Sequence, residues 1–499
     1  MDSDLKALQD VRDLLGAARA AQKEYLHFNQ SQVDRVCESV VQAGLDHARY
    51  LAELAAEETQ LGVAESKVLK NEFSVRDAWE DFKDLKTVGI IKSEPENGYH
   101  EIAEPFGVVA AVIPMTNPTS TALFKILISL KTRNAIVVSP HPRSVRCIAE
   151  SCRIAQEAAV RAGAPQGLIQ WMTQVTIEAT QHLMGHEWTD LIVATGGEGL
   201  VHAAYSAGNP AYGVGPGNVS VYIHRSADVP HAAAAIVTSQ TFDNATICCS
   251  EQSLVCDQSR SQEFLSELKR HKAHVTSPEE TTMLERVCVR GRMMNPEIVG
   301  KFPAFIARKA GFSIPEDTTV LIVPYQGVGP KYPLSCEILT PLLTYYEADN
   351  EQQAEELCLE ILRFGGLGHT FGIHATDEEL IRSWAFKMPV NRYLVNAPTT
   401  QGGIGFSVKM EPSMTLGCGS FGKNISGDNI TARHLMCIKK FCYIKPEFDQ
   451  KYIQPRLQGT STSPTPSAQP NPELHAGAPR PVLAPVRPYL MDKHNRRRL

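Results

Sequence analysis

The chain lacks most of what would tie it to a membrane, a metal or a nucleic acid. None of its 499 residues falls in a run of 18 consecutive apolar residues, so no segment reads as a membrane span. The opening Met1-Asp2-Ser3-Asp4 is acidic where an export signal would be basic and then apolar, so a cytoplasmic protein is expected. A net charge of −6 leaves no basic excess for nucleic acid. Twelve cysteines are present, but no CxxC pair or Cys/His run has zinc spacing, and Cys248-Cys249 stand too close together. No metal site is expected, and most of the cysteines read as small buried apolar residues. No internal repeat is visible.

What is present is enough apolar material, 43% of 499 residues, to build two or three domains with sizeable cores. Residues 4–26 place Leu5, Leu8, Val11, Leu14, Leu15 and Ala18 at helical spacing, and helical periodicity continues to about residue 70. A helix packed on its own domain and a docking helix for a partner share this pattern; an exposed apolar stripe would mark the second. From 101 the texture changes. Buried-strand runs at Gly107–Pro114 and Ala135–Pro140 flank a helix over Ser120–Lys131. A helix over 145–162 and strands near 168–172 and 191–194 follow, with further strands near 319–323 and 370–374. This alternation predicts an α/β fold with a parallel sheet and crossover helices. From Pro455 to Pro488 there are nine prolines among polar residues, which predicts a disordered or polyproline linker over 455–488. Residues 489–499, ending Asn495-Arg496-Arg497-Arg498-Leu499, form a basic tip, either an inert end or a tethered recognition peptide.

Three motifs carry chemistry. Thr241-Phe242-Asp243-Asn244-Ala245-Thr246-Ile247-Cys248-Cys249-Ser250 sets a cysteine on a polar turn after the apolar run Ala232 to Val237. Ala194-Thr195-Gly196-Gly197-Glu198-Gly199 follows the strand-like Asp190–Val193; it is not the GxGxxG fingerprint, but glycines there let a pyrophosphate approach a helix N-terminus. The third, Ala211-Tyr212-Gly213-Val214-Gly215-Pro216-Gly217-Asn218, matters for the acid it lacks. Together they suggest a thiol attacking a carbonyl beside a dinucleotide site. Hydride leaves an aldehyde carbon only from a tetrahedral adduct, and a thiolate is the strongest common side-chain nucleophile for making one.

With Glu104-Pro105-Phe106-Gly107, Thr116-Asn117-Pro118-Thr119, Gly365-Gly366-Leu367-Gly368-His369-Thr370 and Leu416-Gly417-Cys418-Gly419-Ser420, residues 5–445 resemble the CoA-acylating aldehyde dehydrogenases. The similarity is greatest to the aldehyde dehydrogenase half of the bifunctional aldehyde–alcohol dehydrogenases; a proline-rich tail stands where the alcohol dehydrogenase half would continue. The resemblance implies an aldehyde dehydrogenase-like fold. A Rossmann-type cofactor domain is expected over 1–237, completed by 422–450, and a catalytic α/β domain over 238–421. An oligomerisation strand near 435–442 implies a homodimer or tetramer. The implied nucleophile is Cys248 rather than Cys249. Asn117 would donate to the oxyanion, and His369 would stand near the sulfur, aiding thiol deprotonation or touching CoA. For the cofactor, Thr195 and Gly196 would lie by the pyrophosphate with Gly215 nearby. Ser139, Pro140 and His141 would flank the adenosine ribose, and Glu337 would reach the nicotinamide ribose. Cys418 would shape the pocket wall. Hydrolytic relatives usually have a lysine where Ser139 stands, so NAD and NADP both remain open.

Those hydrolytic relatives also place a glutamate in the segment corresponding to Tyr212–Gly217, where this chain has no acid. Without a base water attacks the thioester slowly, whereas a thiol is more acidic and needs less help. The implied acceptor is therefore coenzyme A. Two alternatives stand beside NAD(P)-dependent, CoA-acylating oxidation of a short-chain aldehyde, with acetaldehyde the default. One is hydrolytic oxidation to a free acid; the other is a mainly scaffolding protein acting through the N-terminal helix and basic tail. For the enzyme itself, the tail could be an address to a bacterial microcompartment shell.

Overall fold

The apolar runs at 108–112 and 135–139 become central strands because a strand covered on both faces needs no polar side, and every residue in both is buried. In the computed structural model, which describes residues 3–459 apart from Arg292, the strands run in chain order as follows. They are β1 Gly89–Glu94, β2 Tyr99–Pro105, β3 Val108–Val112, β4 Ala135–Ser139, β5 Ile169–Trp171, β6 Leu191–Thr195, β7 Ala211–Val214, β8 Val219–Ile223 and β9 Glu251–Asp257. Then come β10 His274–Val275, β11 Val289–Arg290, β12 Met293–Met294, β13 Leu321–Pro324, β14 Leu342–Ala348, β15 Gly368–His374, β16 Val390–Val395 and β17 Met436–Cys442.

Two parallel sheets dominate. One is five-stranded in the order β5-β4-β3-β6-β7, a doubly wound pattern whose strand order reverses between β3 and β6. The other is seven-stranded in the order β10-β13-β14-β9-β8-β15-β16. The mixed α/β class and its parallel strands thus match the expectation. Helices fall where periodicity placed them: Ser3–Tyr25, Pro118–Lys131 and Val145–Arg161. In Pro118–Lys131 all fourteen residues are buried. Each apolar side chain buried there contributes roughly 1.5–3 kcal/mol.

The division expected at 237 falls inside the helix Val229–Thr241, whose buried face packs in the cluster of β8 and β9. β8 already belongs to the seven-stranded sheet, so the chain passes between sheets at Gly215–Asn218. The reason is that Val219–Ile223, another fully buried apolar run, pairs with β15 and β9. At the other end β17 returns to pair with β2 in a three-stranded sheet of order β1-β2-β17.

The N-terminal helix turns Ala7, Val11, Leu15 and Ala18 into the main core. Among its described side chains Leu5 alone is a largely exposed large apolar residue, which is not the stripe a docking helix needs. A separate small unit begins at Cys442, with helical turns Pro446–Phe448, Asp449–Ile453 and Gln454–Leu457. The first residues of the expected 455–488 linker thus belong to a helical turn. Its remainder from 460, and the tip 489–499, lie outside the described residues. No helix among the described residues is long and apolar enough to cross a membrane, and no group of three metal-ligating side chains occurs among them.

Candidate active site

Open α/β sheets take ligands beyond the carboxyl ends of their strands, where the strand order reverses. Here β3 leads into Ile113–Asn117 and β6 into Gly196–Gly199, and a cleft of about 550 Å³ opens between them. Its wall brings together Asn117, Ser139, Pro140, His141, Thr195, Gly196, Gly215, Cys248 and Glu337, which lie up to 220 residues apart in the chain (Asn117 to Glu337). Of the residues expected at the site, His369 and Cys418 are not on that wall.

Cys248 ends a loop of unusual backbone. Asp243, Asn244 and Ala245 have φ of 52°, 49° and 56°, three successive non-glycine residues in the left-handed region. Such residues cost of order 1–3 kcal/mol each and persist only when their surroundings hold them. The loop delivers Cys248 to the cleft, partly exposed, just before β9. Enclosure pushes its thiol well above the ordinary range, with the charges of Cys249, Glu337 and Cys418 adding to the rise and Arg392 opposing it. Cys248 therefore rests as a thiol. Cys249 faces the other way, fully buried with its Sγ donating to Thr400 O at 3.2 Å, and burial pushes it up to about 12.

Asn117 sits at the N-cap of Pro118–Lys131 but makes no capping bond with its side chain. The amide is turned instead toward the nucleophile loop, where Nδ2 donates to Thr246 O and to Thr116 Oγ1, each at 3.2 Å. Its Oδ1 accepts from Lys70 Nζ at 2.6 Å.

Glu337 is the one acid on the cleft wall. Its Oε1 accepts from Gly217 N–H at 2.8 Å, and burial pushes the carboxyl up to about 8. Gly217 has no room for a side chain: a Cβ there would stand 2.0 Å from Cys248 O and 3.1 Å from His369 Cγ. His369 thus lies behind Gly217, fully buried, with Nδ1 on Thr370 Oγ1 at 3.0 Å. Burial, reinforced by Arg392, holds it well below the usual histidine range and hence neutral. Cys418, expected to shape the wall, is buried off it instead.

The residues fit a dinucleotide. A Cβ at Gly197, Gly199 or Gly215 would meet nothing within 4 Å, leaving open space for phosphates beside the helix Glu198–Tyr205. Farther along, Val175, Ile177, Met184, Leu200 and Ala203 make an apolar slot suited to a flat ring. Sequence reading missed this slot, and it also missed Lys70, Asp243 and Thr246. The only signal for the lysines is their spacing, Lys67 and Lys70 on one helix face; both are buried, against the usual preference of the residue type.

The profile of the aldehyde dehydrogenase family matches residues 4–288. The chain is 42% identical over 408 residues to an aldehyde-alcohol dehydrogenase of Streptococcus pneumoniae, covering 80% of this chain and 46% of that protein. It therefore spans about half the length of such curated relatives. An acetylating aldehyde dehydrogenase from Geobacillus thermoglucosidasius is 49% identical and superposes with a TM-score of 0.88, covering 89% of this chain and 98% of that one. A propionaldehyde dehydrogenase of Rhodopseudomonas palustris with bound propionyl-CoA is 25% identical, with a TM-score of 0.78 over 89% of this chain and 97% of that one.

Proposed function

Because the chain belongs to the aldehyde dehydrogenase family, we propose that it oxidises a short-chain aldehyde, acetaldehyde by default, to the acyl-CoA. Cys248 Sγ attacks the carbonyl carbon once its proton has left. The resulting oxyanion is met by Asn117 Nδ2–H and the backbone N–H of Cys248. NAD or NADP, held by Thr195, Gly196, Gly215 and the ribose-flanking Ser139, Pro140, His141 and Glu337, supplies the hydride acceptor. The acyl group, left as a thioester on Cys248, passes to the thiol of coenzyme A. Aldehyde, CoA thiol and oxidised cofactor thus give acyl-CoA, reduced cofactor and one proton.

What supports this reading most is the partly exposed Cys248 on a glycine-lined cleft, with no acid in the adjoining Tyr212–Gly217. The wall's one carboxyl, Glu337, is largely protonated at neutral pH and tied to Gly217 N–H. It stands outside Tyr212–Gly217, the segment where hydrolytic relatives carry their base. Acylation also agrees with the acetylating relative and with the propionyl-CoA bound to a more distant one. Reduced-cofactor formation from acetaldehyde should stop after one turnover when CoA is withheld. Steady turnover without CoA, with acetate as product, would establish hydrolysis instead.

A cytoplasmic homodimer or dimer-based tetramer belongs to this reading. The edge strand β17, in which Ile438 is 41% exposed, suits pairing with a second copy, and solution mass measures it. The proline-rich tail and basic tip are proposed as an address to a bacterial microcompartment. Deleting 460–499 should leave kinetics unchanged while co-localisation is lost.

A further inference from the structure

Two buried ammoniums face a single buried carboxylate directly behind the cleft. Lys67 and Lys70, one helical turn apart on Ala64–Glu72, both bind Asp243 Oδ2, and all three side chains are at most 3% exposed. Asp243 Oδ1 also accepts from Val63 N–H at 2.6 Å, and Thr246 Oγ1 donates to Oδ2 at 2.9 Å. The carboxylate is thus fully engaged, yet the cluster keeps one positive charge in excess. Burying uncompensated charge is expensive. The excess charge meets the cleft wall at two residues, Lys70 Nζ donating to Asn117 Oδ1 at 2.6 Å and to Thr246 Oγ1 at 3.1 Å, and the first of these is an amide whose NH₂ end faces the nucleophile loop.

We propose that Lys70 is a positioning residue for thioester formation, orienting and polarising the Asn117 amide that meets the oxyanion. This rests on the roles given above to Cys248 and Asn117. An ammonium has three donors and no acceptor, so only the oxygen of the amide can face it. The NH₂ end is thereby turned toward the nucleophile loop, where its two resting bonds, at 3.2 Å each, are long enough for a charged oxygen to displace one. A negative oxygen in the cleft then balances the cluster's surplus charge, which favours the adduct over the neutral aldehyde. The charged groups facing Lys70 are Asp243 from the loop and Lys67 from its own helix; Cys249 is a further ionisable neighbour, and the Phe242 ring lies 5.9 Å away. Burial first, then the opposition of Lys67, brings the Lys70 ammonium down to about 8 despite Asp243.

The test is the single-turnover burst of NADH from acetaldehyde and NAD without CoA, which reads the first half-reaction whatever the final acceptor. Lys70→Met should slow the burst at pH 7 by about tenfold to a hundredfold, somewhat less than loss of a whole oxyanion donor, with KM for acetaldehyde little changed. That deficit should narrow as pH passes about 8, because the wild type then loses the same charge. Lys67→Met removes a neighbouring positive charge and so raises the Lys70 pKa. Its burst relative to wild type should climb above pH 8, and this ratio decides the matter even if Lys70→Met does not fold. Taking ratios cancels the titration of Cys248. A Lys70→Met burst near the wild-type rate, or a Lys67→Met ratio flat in pH, would overturn the proposal. A burst that survives Cys248→Ala would sink the underlying assignment of the nucleophile, and Lys70 with it.

Discussion

Two adjacent cysteines differ by environment rather than by chemistry. Cys248 opens on the cleft, while Cys249 is walled in and donates to Thr400 O. Cys248→Ala should abolish reduced-cofactor formation from acetaldehyde and CoA, and Cys249→Ala should retain it within about tenfold, its loss being one of packing. Comparable activity in the two variants would remove the distinction. The choice between them came from the motif's resemblance to the acylating family, since two adjacent cysteines on a turn do not by themselves say which one faces outward. The environment of Asn117 was not legible in this way. As a residue before Pro118 it reads as a turn former or cap, and only the incoming Lys70 explains why the amide leaves the cap.

At the scale of elements, the nucleophile loop and the helix Ala64–Glu72 act as one piece. The left-handed run Asp243–Ala245 is held from outside by Val63 N–H, Lys67 and Lys70. Asp243→Ala leaves two buried ammoniums without their carboxylate and should cost about 3–5 kcal/mol. Urea unfolding of the variant measures it; a loss under 1 kcal/mol would show that the loop keeps its shape without the anchor. The strands 108–112, 135–139 and 191–195 were legible because continuous apolar runs bounded by turns have few other uses in a parallel sheet. The sheet to which β8 belongs was not, since β8 and the strands of the five-stranded sheet carry the same buried texture.

The whole molecule buries two neutral histidines in one strand of its larger sheet. Burial, then the charge of His231, brings His374 down to about 4, and His369 lies well below its ordinary value for the reasons given above. A histidine whose folded pKa sits below its unfolded value of about 6.5 takes up a proton on unfolding, so its contribution is whole above that pH and drains as pH falls. His374 alone should withdraw roughly 3 kcal/mol by about pH 4. The urea midpoint should therefore fall steadily from pH 7 to pH 5, and less so in His374→Asn. A midpoint constant over that range in both proteins would contradict it.

The sequence by itself determined the alternation of elements, the family and the absence of an acid in Tyr212–Gly217, and its motifs carried the resemblance that proposed Cys248 as the nucleophile. These are local properties, carried by apolar periodicity and by short motifs whose residues are neighbours along the chain. Only the tertiary structure decided that Glu337 would be tied to Gly217, that His369 would stand behind the wall, and that Lys70 would reach Asn117. Those pairs join residues 47 or more positions apart, and buried charge finds its partner through the packing of whole sheets and helices, which spacing does not encode.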